Sequence, residues 1–572
     1  MNADRLLEHY EKISDAPDAI VRLRRFVLDL AVRGKLVAQI SDEEPASVLL
    51  KKIEAEKAER LQGIRVSTAI SLENVSALDQ EFLLPSGWIW QPLGNIIKLW
   101  NGFAFKSADF KASGVPVIRI GNLVDGEVSL SSAKCVTDET ANSVSQEVWI
   151  PENALLLAMS GATTGKTAFN RTGHQLLLNQ RVGRIEAFST SIKFVRIFFE
   201  TVIARNLSIS LGSAIPNLSS KQINETAFPL PPLAEQHRIV AKVDELMALC
   251  DRLEEARKTR EETRNKLTAA SLGRLTAADT TPEDFPAHAR FALETLPTLT
   301  FRPDQIKTLR QTILNLAVQG KLVEQDEADG SGEQLLVQVR KRKKEDVEPQ
   351  EMKRSTKFSC NKEDLPFSLP ASWSVAALRE LSYNLGDGLH GTPNYISTGN
   401  IHFINGTNLR DGQISILPNT KLVSQEEYEK HAKPLNERTL LVSINGTLTN
   451  YAFYNGERVL LGKSACYFEI SPLVDMQFIR ILIQTPYYVE YAIKQATGAT
   501  IKNLSLKAMN GLPVPLPPLA EQHRIVAKVD ALMALCDRLE ATLTTANTTR
   551  TRLLEALLHE ALEPATREEV AA

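Results

Sequence analysis

A run of apolar residues leads into a turn rich in glycine and threonine, LLLAMSGATTGKTAF at 155–169, which ends in Gly165-Lys166-Thr167. This stretch is close to the loop G-x-x-x-x-G-K-[ST], whose backbone N–H groups and lysine hold the phosphates of a nucleotide. Ser160 stands where that loop needs its first glycine, and serine reaches the required backbone conformation only with strain. The motif is therefore weak support for a nucleotide-dependent enzyme.

No other catalytic pattern stands in the sequence. It contains neither H-E-x-x-H nor G-x-S-x-G, and no Asn/Asp-Pro-Pro-aromatic motif of the kind that holds a flipped base for methylation. His237 and His523 lie among polar neighbours on predicted helices with no nucleophile at hand, which favours a helix-surface or packing role. We therefore expect no catalytic residue in this chain.

The bulk composition excludes several classes of protein. The 572 residues suffice for three or four ordinary domains, and no stretch approaches the roughly eighteen consecutive apolar residues of a membrane span. The first residues lack the pattern of a secretory signal. The five cysteines lie far apart without metal-ligand spacing, so we expect reduced thiols, no metal site and a cytoplasmic protein. A net charge of −3 leaves room only for local basic surfaces.

The chain repeats itself with an offset of 286 residues. PLPPLAEQHRIVAKVDELMALCDRLE at 229–254 recurs as PLPPLAEQHRIVAKVDALMALCDRLE at 515–540, with one difference, Glu245 against Ala531. LRRFVLDLAVRGKLV at 23–37 likewise matches LRQTILNLAVQGKLV at 309–323. The chain therefore consists of two tandem copies of one plan, and the period is too long for a solenoid repeat.

Each copy contains a segment that begins at a tryptophan and that we call its variable segment, 88–228 in the first copy and 373–514 in the second. The two are nearly equal in length but mostly dissimilar in sequence. Similar frames with divergent contents favour one scaffold that presents two different binding surfaces. The near-miss loop agrees, because a gapless alignment with LLVSINGTLTNYAF at 440–453 places Asn450 where the first copy has Lys166.

The repeated block predicts a long helix in each copy. No proline or glycine interrupts 233–272 or 519–562, Pro231-Pro232 provides a start, and Gly273 is a plausible stop. Forty residues of helix span about 60 Å. The narrow apolar stripe predicts pairing of the two long helices as an antiparallel coiled coil, and the alternative is that each helix packs on its own domain. The stripe residues are Ile239, Val243, Leu246 and Leu253, and Ile525, Val529, Leu532 and Leu539.

A shorter amphipathic helix precedes each variable segment. The apolar residues of Leu23–Leu36 have helical spacing, and the predicted helix ends at Gly34. A charged connector follows, KKIEAEKAER in the first copy and RKRKKEDVEP in the second. The basic run 340–344 could contact phosphates, but a solvated connector is an equally good interpretation because Glu345 and Asp346 follow at once.

The variable segments themselves predict mixed α/β structure. VPVIRI and EVWIPENALLLAM in the first and IHFING and ERTLLVSING in the second are typical of strands, and KFVRIFFETVIARNL and MQFIRILIQTPYYVEYAI are typical of helices. The predicted fold class is α+β, a tandem pseudo-twofold repeat of two mixed α/β domains and two long helices. The predicted boundaries are 1–60 and 305–345 for the helical regions with connectors, 84–230 and 369–516 for the variable domains, and 231–275 and 517–565 for the long helices.

This plan resembles the specificity (S) subunit of type I restriction–modification enzymes. The resemblance is carried by PPLAEQ followed by a long helix, twice, and by LNQRVGRI, IPNLSSKQI and IKNLSLKAM in the variable segments. It covers nearly the whole chain. LLGKSACYFEI departs from LLLNQRVGRIE at the matching place, so the two copies cannot share one contact pattern there.

The resemblance implies a chain that selects DNA and catalyses nothing. Each variable domain would be a target-recognition domain that reads one half of a split, asymmetric site in double-stranded DNA, with the paired helices as a ruler. Two methyltransferase (M) subunits would dock on the helices, and two motor–nuclease (R) subunits would join for restriction. S-adenosylmethionine, ATP and Mg²⁺ would serve those partners, with no cofactor in this chain.

Candidate DNA contacts lie in the polar turns, because Lys and Arg favour phosphates while Arg, Asn and Gln favour base edges. Basic residues exceed acidic ones only slightly, 13 to 10 in the first variable segment and 12 to 11 in the second. Asn217 and Asn503 recur at equivalent positions, which favours a shared structural or phosphate role. The candidates are Lys106, Arg119, Asn122, Lys166, Asn179, Gln180, Arg181, Asn217 and Lys221, and His390, Asn394, Asn400, Asn405, Arg410, Asn445, Lys463, Lys502 and Asn503.

Two alternatives of different classes stay open at this point. The first is a nucleotide-dependent enzyme that uses Gly165-Lys166-Thr167. The second is a protein-binding coiled-coil scaffold whose variable segments hold other proteins. ATP binding by the isolated chain distinguishes the first, and DNA band shifts distinguish the second.

Overall fold

A computed structural model describes residues 9–62, 82–161, 163–209, 218–277, 279–300, 302–346, 358–498 and 502–562. The chain divides into two compact units. The first contains Met1–Thr259 with Asn547–Ala572, and the second contains Arg260–Ala546. The boundary between the units therefore falls inside each long helix.

The first unit builds its variable segment from three sheets. Ile89–Pro92 pairs antiparallel with Ala227–Leu230, so the first and last strands close the domain on itself. A four-stranded sheet has the order Lys134–Val136, Val115–Ile118, Leu176–Leu178 and Trp149–Ile150. A six-stranded sheet has the order Ile97–Asn101, Val182–Ala187, Leu155–Ala158, Thr167–Phe169, Glu127–Val128 and Leu123–Val124. Its helices, besides the long helix, are Tyr10–Ile13, Ala19–Val32, Ala46–Arg60, Leu93–Ile96, Asp138–Asn142, Ile192–Ile209 and Ser220–Glu225.

The second unit repeats this plan with shorter sheets. Ser374–Ala377 pairs with Pro513–Leu516, and Leu409–Arg410 pairs with Gln413–Ile414. One four-stranded sheet has the order Ser382–Asp387, Ala465–Ile470, Thr439–Ser443 and Tyr451–Phe453, and the other Tyr395–Ile396, Lys421–Val423, His402–Ile404 and Val459–Leu461. Its helices, besides the long helix, are Phe285–Leu299, Pro303–Val318, Gly332–Asp346, Leu378–Leu381, Gln425–His431, Met476–Gln484, Pro486–Gln495 and Leu506–Asn510. Pro486 begins its own helix and thereby splits a stretch predicted as one.

The long helices run from Leu233 to Thr276 and from Leu519 to Leu562, 44 residues each. Gly273 does not end the first of them, contrary to expectation. A glycine stops a helix when it takes a left-handed conformation, and Gly273 is not among the glycines with positive φ.

The apolar stripe of each long helix begins in the core of its own copy. Ile239, Val243 and Leu246 pack in the first unit's core, and Ile525, Val529 and Leu532 pack in the second unit's core. Leu253 is half-buried and Leu539 is exposed. This packing differs from the expected seam between the two helices, because each helix follows directly on the strand that closes its own domain. Pairing of the long helices as a coiled coil stays a prediction.

The charged connectors are helices, Ala46–Arg60 and Gly332–Asp346. Lys343 is 1% exposed, and its Nζ donates to the carbonyl oxygens of Arg379 and Ser382 at 2.7 and 2.5 Å. The Arg340 guanidinium pairs with Glu380 at 2.6 Å. The basic run 340–344 is therefore partly structural, which corrects its interpretation as a phosphate-binding or simply solvated segment.

In each unit, a junction of buried hydrogen bonds joins the variable segment to the long helix. Trp88 Nε1 donates to Glu235 Oε2 at 2.8 Å in the first unit, and Trp373 Nε1 donates to Glu521 Oε2 at 3.0 Å in the second. Glu235 and Glu521 are each 1% exposed, and burial raises the pKa of both carboxyl groups. The repeated glutamates of PPLAEQ therefore fix the long helices to the domains that precede them.

The glutamine of the same motif completes this junction. Gln236 Nε2 donates to Pro231 O at 3.0 Å, and its Oε1 accepts from Ser191 N at 2.8 Å. Gln522 makes the same pair of bonds with Pro517 O and Asp475 N, at 2.9 Å each. Since both glutamines are fully buried, every polar atom here needs its partner.

Candidate nucleic-acid interface

Five loops of the first variable segment meet at one edge of its sheets. The loops are 102–106, 118–122, 159–161 with 163–166, 179–181 and 218–221. We call this edge the first loop edge. Four backbone hydrogen bonds tie it together: Phe103 N to Leu178 O at 2.8 Å, Asn179 N to Ile118 O at 3.1 Å, Met159 N to Arg181 O at 2.9 Å, and Leu218 N to Met159 O at 2.8 Å.

The second variable segment builds the same edge, the second loop edge, from 387–390, 404–408, 443–450, 462–464 and 502–504. Its backbone bonds correspond closely to those of the first loop edge. They are Leu389 N to Leu461 O at 2.7 Å, Gly462 N to Ile404 O at 2.8 Å, Ile444 N to Ser464 O at 3.0 Å, and Leu504 N to Ile444 O at 2.8 Å. The two copies therefore share a loop scaffold although their loop sequences differ.

Several exposed cationic and amide side chains lie at the first loop edge. Lys106, Lys166, Gln180, Arg181 and Lys221 are all exposed. Lys221 Nζ lies 3.9 Å from Glu225, an exposed pair that water screens. These five predicted residues are brought together on one surface that a polyanion could reach.

Arg119 occupies an intermediate position at the same edge. It is half-buried, and its Nη2 donates to Ser132 O at 3.2 Å. Its Nε is buried and has no hydrogen-bond partner. Because this Nε is buried, it is not accessible to a phosphate oxygen, and a DNA contact by Arg119 stays a prediction.

Two predicted asparagines of the first copy are buried. Asn122 is 1% exposed: its Oδ1 accepts from Arg119 N at 3.0 Å, and its Nδ2 donates to Ser129 O at 3.1 Å. Asn179 is 7% exposed, and its Oδ1 faces Arg181 N at 3.5 Å. The Asn122 amide closes a turn inside the domain, which gives it a structural role, and a DNA contact by Asn122 stays a prediction. Asn217 lies outside the described residues.

Most candidates of the second copy are exposed. Some are engaged within the chain: His390 Nε2 lies 2.6 Å from Asp387 Oδ2, and Asn394 Nδ2 donates to Glu427 at 3.2 Å. Asn405 is half-buried with its Oδ1 accepting from Ser464 Oγ at 2.8 Å, and Asn445 is also half-buried. The exposed candidates are His390, Asn394, Asn400, Arg410, Lys463, Lys502 and Asn503.

The structure adds one cation that the sequence did not single out. Lys307, on the helix Pro303–Val318, lines a groove of about 960 Å³ together with Arg410 and Lys502. Asp411 and Glu490 line it as well, so its net charge is small. No spacing in the sequence connects Lys307 with the loops, because the groove forms only when the helix packs on the variable segment.

The near-miss phosphate loop is a hairpin turn. Leu155–Ala158 pairs antiparallel with Thr167–Phe169, and Gly165 N donates to Ala158 O at 2.7 Å across the turn. A phosphate loop instead connects a strand to the N-terminus of a helix. Lys166 is therefore an exposed side chain on a hairpin turn. The strand pairing also aligns Leu155 with Leu440, so this loop is one residue shorter in the second copy than the gapless alignment assumed.

The described residues contain no group of three or more His, Cys, Asp or Glu side chains that could hold a metal ion. In the same part of the chain, no helix has the length and apolar character needed to cross a membrane. The chemistry on offer at both loop edges is ionic contact and hydrogen bonding.

Two equivalent loop scaffolds with different exposed polar side chains define a class of protein, a duplicated recognition protein for an anionic polymer. The type I restriction modification DNA specificity domain matches residues 85–262 and again residues 370–546. The chain belongs to this family, and the two matched segments are its two DNA recognition domains.

Curated relatives support the same assignment over nearly the whole chain. The EcoAI specificity subunit of Escherichia coli is 28% identical over 571 residues, 95% of this chain and 94% of the relative. The EcoEI specificity subunit of Escherichia coli is 27% identical over 577 residues, 95% of this chain and 94% of the relative. Their names as specificity subunits imply a non-catalytic role, and nothing favours the nucleotide-dependent enzyme or the protein scaffold.

Solved structures of low sequence identity also match. A chain of a type I R-M system is 17% identical with a TM-score of 0.49, and the match covers 85% of this chain and all of that chain. The HsdS subunit from Thermoanaerobacter tengcongensis is 17% identical with a TM-score of 0.40, covering 85% of this chain and 98% of that chain.

Proposed function

We propose that each recognition domain reads one half of a bipartite, asymmetric site in double-stranded DNA through its loop edge. One observation carries the proposal: the same backbone bonds hold both loop edges, while their exposed side chains differ. Gln180 and Arg181 occupy the turn where the second copy has Lys463 and Ser464. A shared scaffold would place both edges alike on a duplex, and unlike side chains would read unlike bases.

The long helices set the distance between the two half-sites in this proposal. A helix of 44 residues is about 66 Å long, and one turn of B-DNA advances about 34 Å. An antiparallel pair of such helices is long enough to separate two domains by one or more turns. We propose that the same helices dock two methyltransferase subunits and that two motor–nuclease subunits join them.

Catalysis belongs to those partner subunits in the proposal. S-adenosylmethionine would serve the methyltransferases, and ATP and Mg²⁺ the motor–nucleases, in a complex that works in the cytoplasm. Only a small excess of basic over acidic residues stands in either variable segment. We therefore expect partner subunits to contribute much of the attraction to phosphates.

Exchange of one recognition domain tests the proposal. The closing strands, Ile89–Pro92 with Ala227–Leu230, offer splice points that leave the junction of Trp88 with Glu235 intact. The segment between them is replaced by the matching segment of a specificity subunit with a different known target. The assembled complex then methylates a genome, and methylated bases are mapped. We expect one half of the recognised sequence to change and the other half to persist.

The matched control exchanges the segment between Ser374–Ala377 and Pro513–Leu516 in the second copy. That exchange should alter the other half-site alone. A change in both halves from a single exchange, or a change in neither, would contradict the modular reading of DNA.

A further inference from the structure

A large aromatic side chain stands exposed in the middle of the polar first loop edge. Phe103 is 45% exposed, whereas the neighbouring Phe105 is 7% exposed. Lys106 and Gln180 flank it, and Gln180 N donates to Phe103 O at 3.0 Å. Nearly half of this phenylalanine's surface is therefore open to solvent next to polar loop residues.

The backbone at this residue is held on both sides. Phe103 N donates to Leu178 O at 2.8 Å, and Gln180 N donates back to Phe103 O. Gly102 permits this approach, because a Cβ there would lie 2.1 Å from Asn179 O. The Phe103 segment is thereby pressed against the strand Leu176–Leu178 and its following turn.

The Phe103 ring packs against a second, buried aromatic side chain. Phe103 and Phe105 meet edge to face with centroids 5.0 Å apart, and Phe105 in turn lies 6.3 Å from Phe110. A fixed backbone and a supported ring leave few rotamers to lose on binding, so contact by this ring has a low entropic cost.

The second loop edge has the same position with a different residue. Leu389 N donates to Leu461 O at 2.7 Å, and a Cβ on Gly388 would lie 2.1 Å from Leu461 O. The Leu389 side chain, however, is half-buried against the cluster of Ile401, Phe403, Val423 and Leu460. The scaffold is thus shared, while at this position the first copy has an exposed aromatic ring and the second a half-buried leucine.

We propose that Phe103 is a specificity-determining residue of the first recognition domain, whose ring makes an apolar contact with a base at one position of the first half-site. The C5-methyl group of thymine and the face of a partly unstacked base are the apolar features that DNA offers. Lys106, Gln180 and Arg181 around the ring would meet the phosphates and base edges on either side. This inference rests on the proposed function and names one residue that performs it.

The test uses the assembled complex with its methyltransferase subunits. Phe103→Leu introduces the residue type of the second copy, Phe103→Ala removes the ring, and Phe103→Tyr retains it. Phe291→Ala is the matched control, since Phe291 is 55% exposed on the helix Phe285–Leu299, which contributes no residue to either loop edge. Genomic methylation gives the recognised sequence, and binding to single-base variants of the wild-type site gives the preference at each position.

We expect Phe103→Ala and Phe103→Leu to reduce the preference at one position of the first half-site by about 5- to 100-fold, the usual range for a single base pair. Preference throughout the second half-site should persist, Phe103→Tyr should retain most of the selectivity, and Phe291→Ala should behave as wild type. Melting curves of the variants should match wild type, because an exposed ring contributes little to the core.

Three outcomes would overturn the inference. The recognised sequence and its position-by-position preferences could be unchanged in Phe103→Ala. Methylation could fall equally at all sites with weaker assembly, in which case the ring contacts a protein partner. A wild-type complex that recognises no bipartite site would remove the proposed function as well, which separates the two failures.

Discussion

The buried junction and the loop edges follow opposite rules within one duplicated chain. At the junction, Trp88 with Glu235 and Trp373 with Glu521 make the same bond to within 0.2 Å. At the loop edges, Phe103 faces solvent where Leu389 is half-buried. The buried side chains of the junction recur between the copies, whereas several exposed side chains on the shared loop scaffold differ. Identity at the buried junction therefore indicates a structural role, and the differing loop residues are the ones that we propose distinguish the two half-sites.

The junction is constrained because each of its atoms has one partner and no access to water. Glu235 accepts from Trp88 Nε1 and from Gln39 Nε2, the latter at 2.7 Å. Glu521 accepts in the same way from Trp373 and from Gln325, the latter at 2.6 Å. Removing one partner leaves a buried polar group unsatisfied, which costs about 1–3 kcal/mol.

Truncation of the junction tryptophans should give the largest effect on stability. Trp88→Ala leaves a cavity and strips Glu235 of a donor, so the first unit should lose about 3–5 kcal/mol. Trp373→Ala should weaken the second unit by a similar amount. Hydrogen exchange measured peptide by peptide reports the loss in each unit separately. In both variants, whatever folded complex remains should recognise the wild-type sequence, and an altered sequence with unchanged exchange would reverse the roles assigned to junction and loops.

A smaller effect on stability is expected from alanine at Gly34 and Gly173. These two glycines share a left-handed backbone conformation but differ in how closely other atoms surround them. Gly34 has φ +66° and a Cβ there would lie 2.4 Å from Pro85 Cγ, whereas Gly173 has φ +68° with nothing within 4 Å. Alanine at either position bears the left-handed cost of about 1–2 kcal/mol. Gly34→Ala adds overpacking of about 1–3 kcal/mol, so its unfolding free energy should fall further than that of Gly173→Ala. Equal unfolding free energies for both variants in denaturant titrations would show that the structure around Gly34 accommodates the added methyl group as easily as the open loop at Gly173 does.

The repeat made much of the frame predictable. An offset of 286 located both long helices, and the PPLAEQ blocks located the junction, although no pattern indicated that their glutamates meet Trp88 and Trp373. Gly273 was misread because glycine in a helix interior and glycine at its end look alike in one sequence. The spacing of Ile239 and Val243 is the same whether they face a second helix or their own domain, so the sequence could not show that this part of the stripe packs in the domain core.

The loop edges were predictable as regions but not residue by residue. Asn122 was chosen as a polar turn residue, yet Asn408, at the same offset of 286, closes the equivalent turn with Nδ2 donating to Ser415 O at 3.0 Å. That recurrence was available in the sequence and indicates a structural role. No sequence feature predicted that Phe103 is exposed, because the exposure of this ring depends on how its turn is held against Leu178.

The smallest effect is expected from Lys166, where the comparison can be sharpened most. Lys166 is exposed on a hairpin of the first loop edge, while its counterpart Asn450 donates from Nδ2 to Gly406 O at 3.2 Å in the second. If Lys166 contacts one phosphate, Lys166→Ala should lower DNA affinity several-fold for all sequences and reduce the slope of log affinity against log salt by about 1. Base preferences should not change, because a phosphate contact carries no sequence information.

Lys193→Ala supplies the control for this measurement. Lys193 is also an exposed lysine of the first unit, but it pairs with Asp244 at 3.2 Å on the long helix, away from the loop edge. Its loss should leave the salt slope unchanged, since an exposed pair of this kind is worth about 0–1 kcal/mol. The same proteins decide the nucleotide alternative: ATP binding by wild type that disappears in Lys166→Ala would restore it. Equal salt slopes for Lys166→Ala and Lys193→Ala would instead remove this hairpin from the DNA-facing surface and leave Gln180 and Arg181 as its nearest candidates.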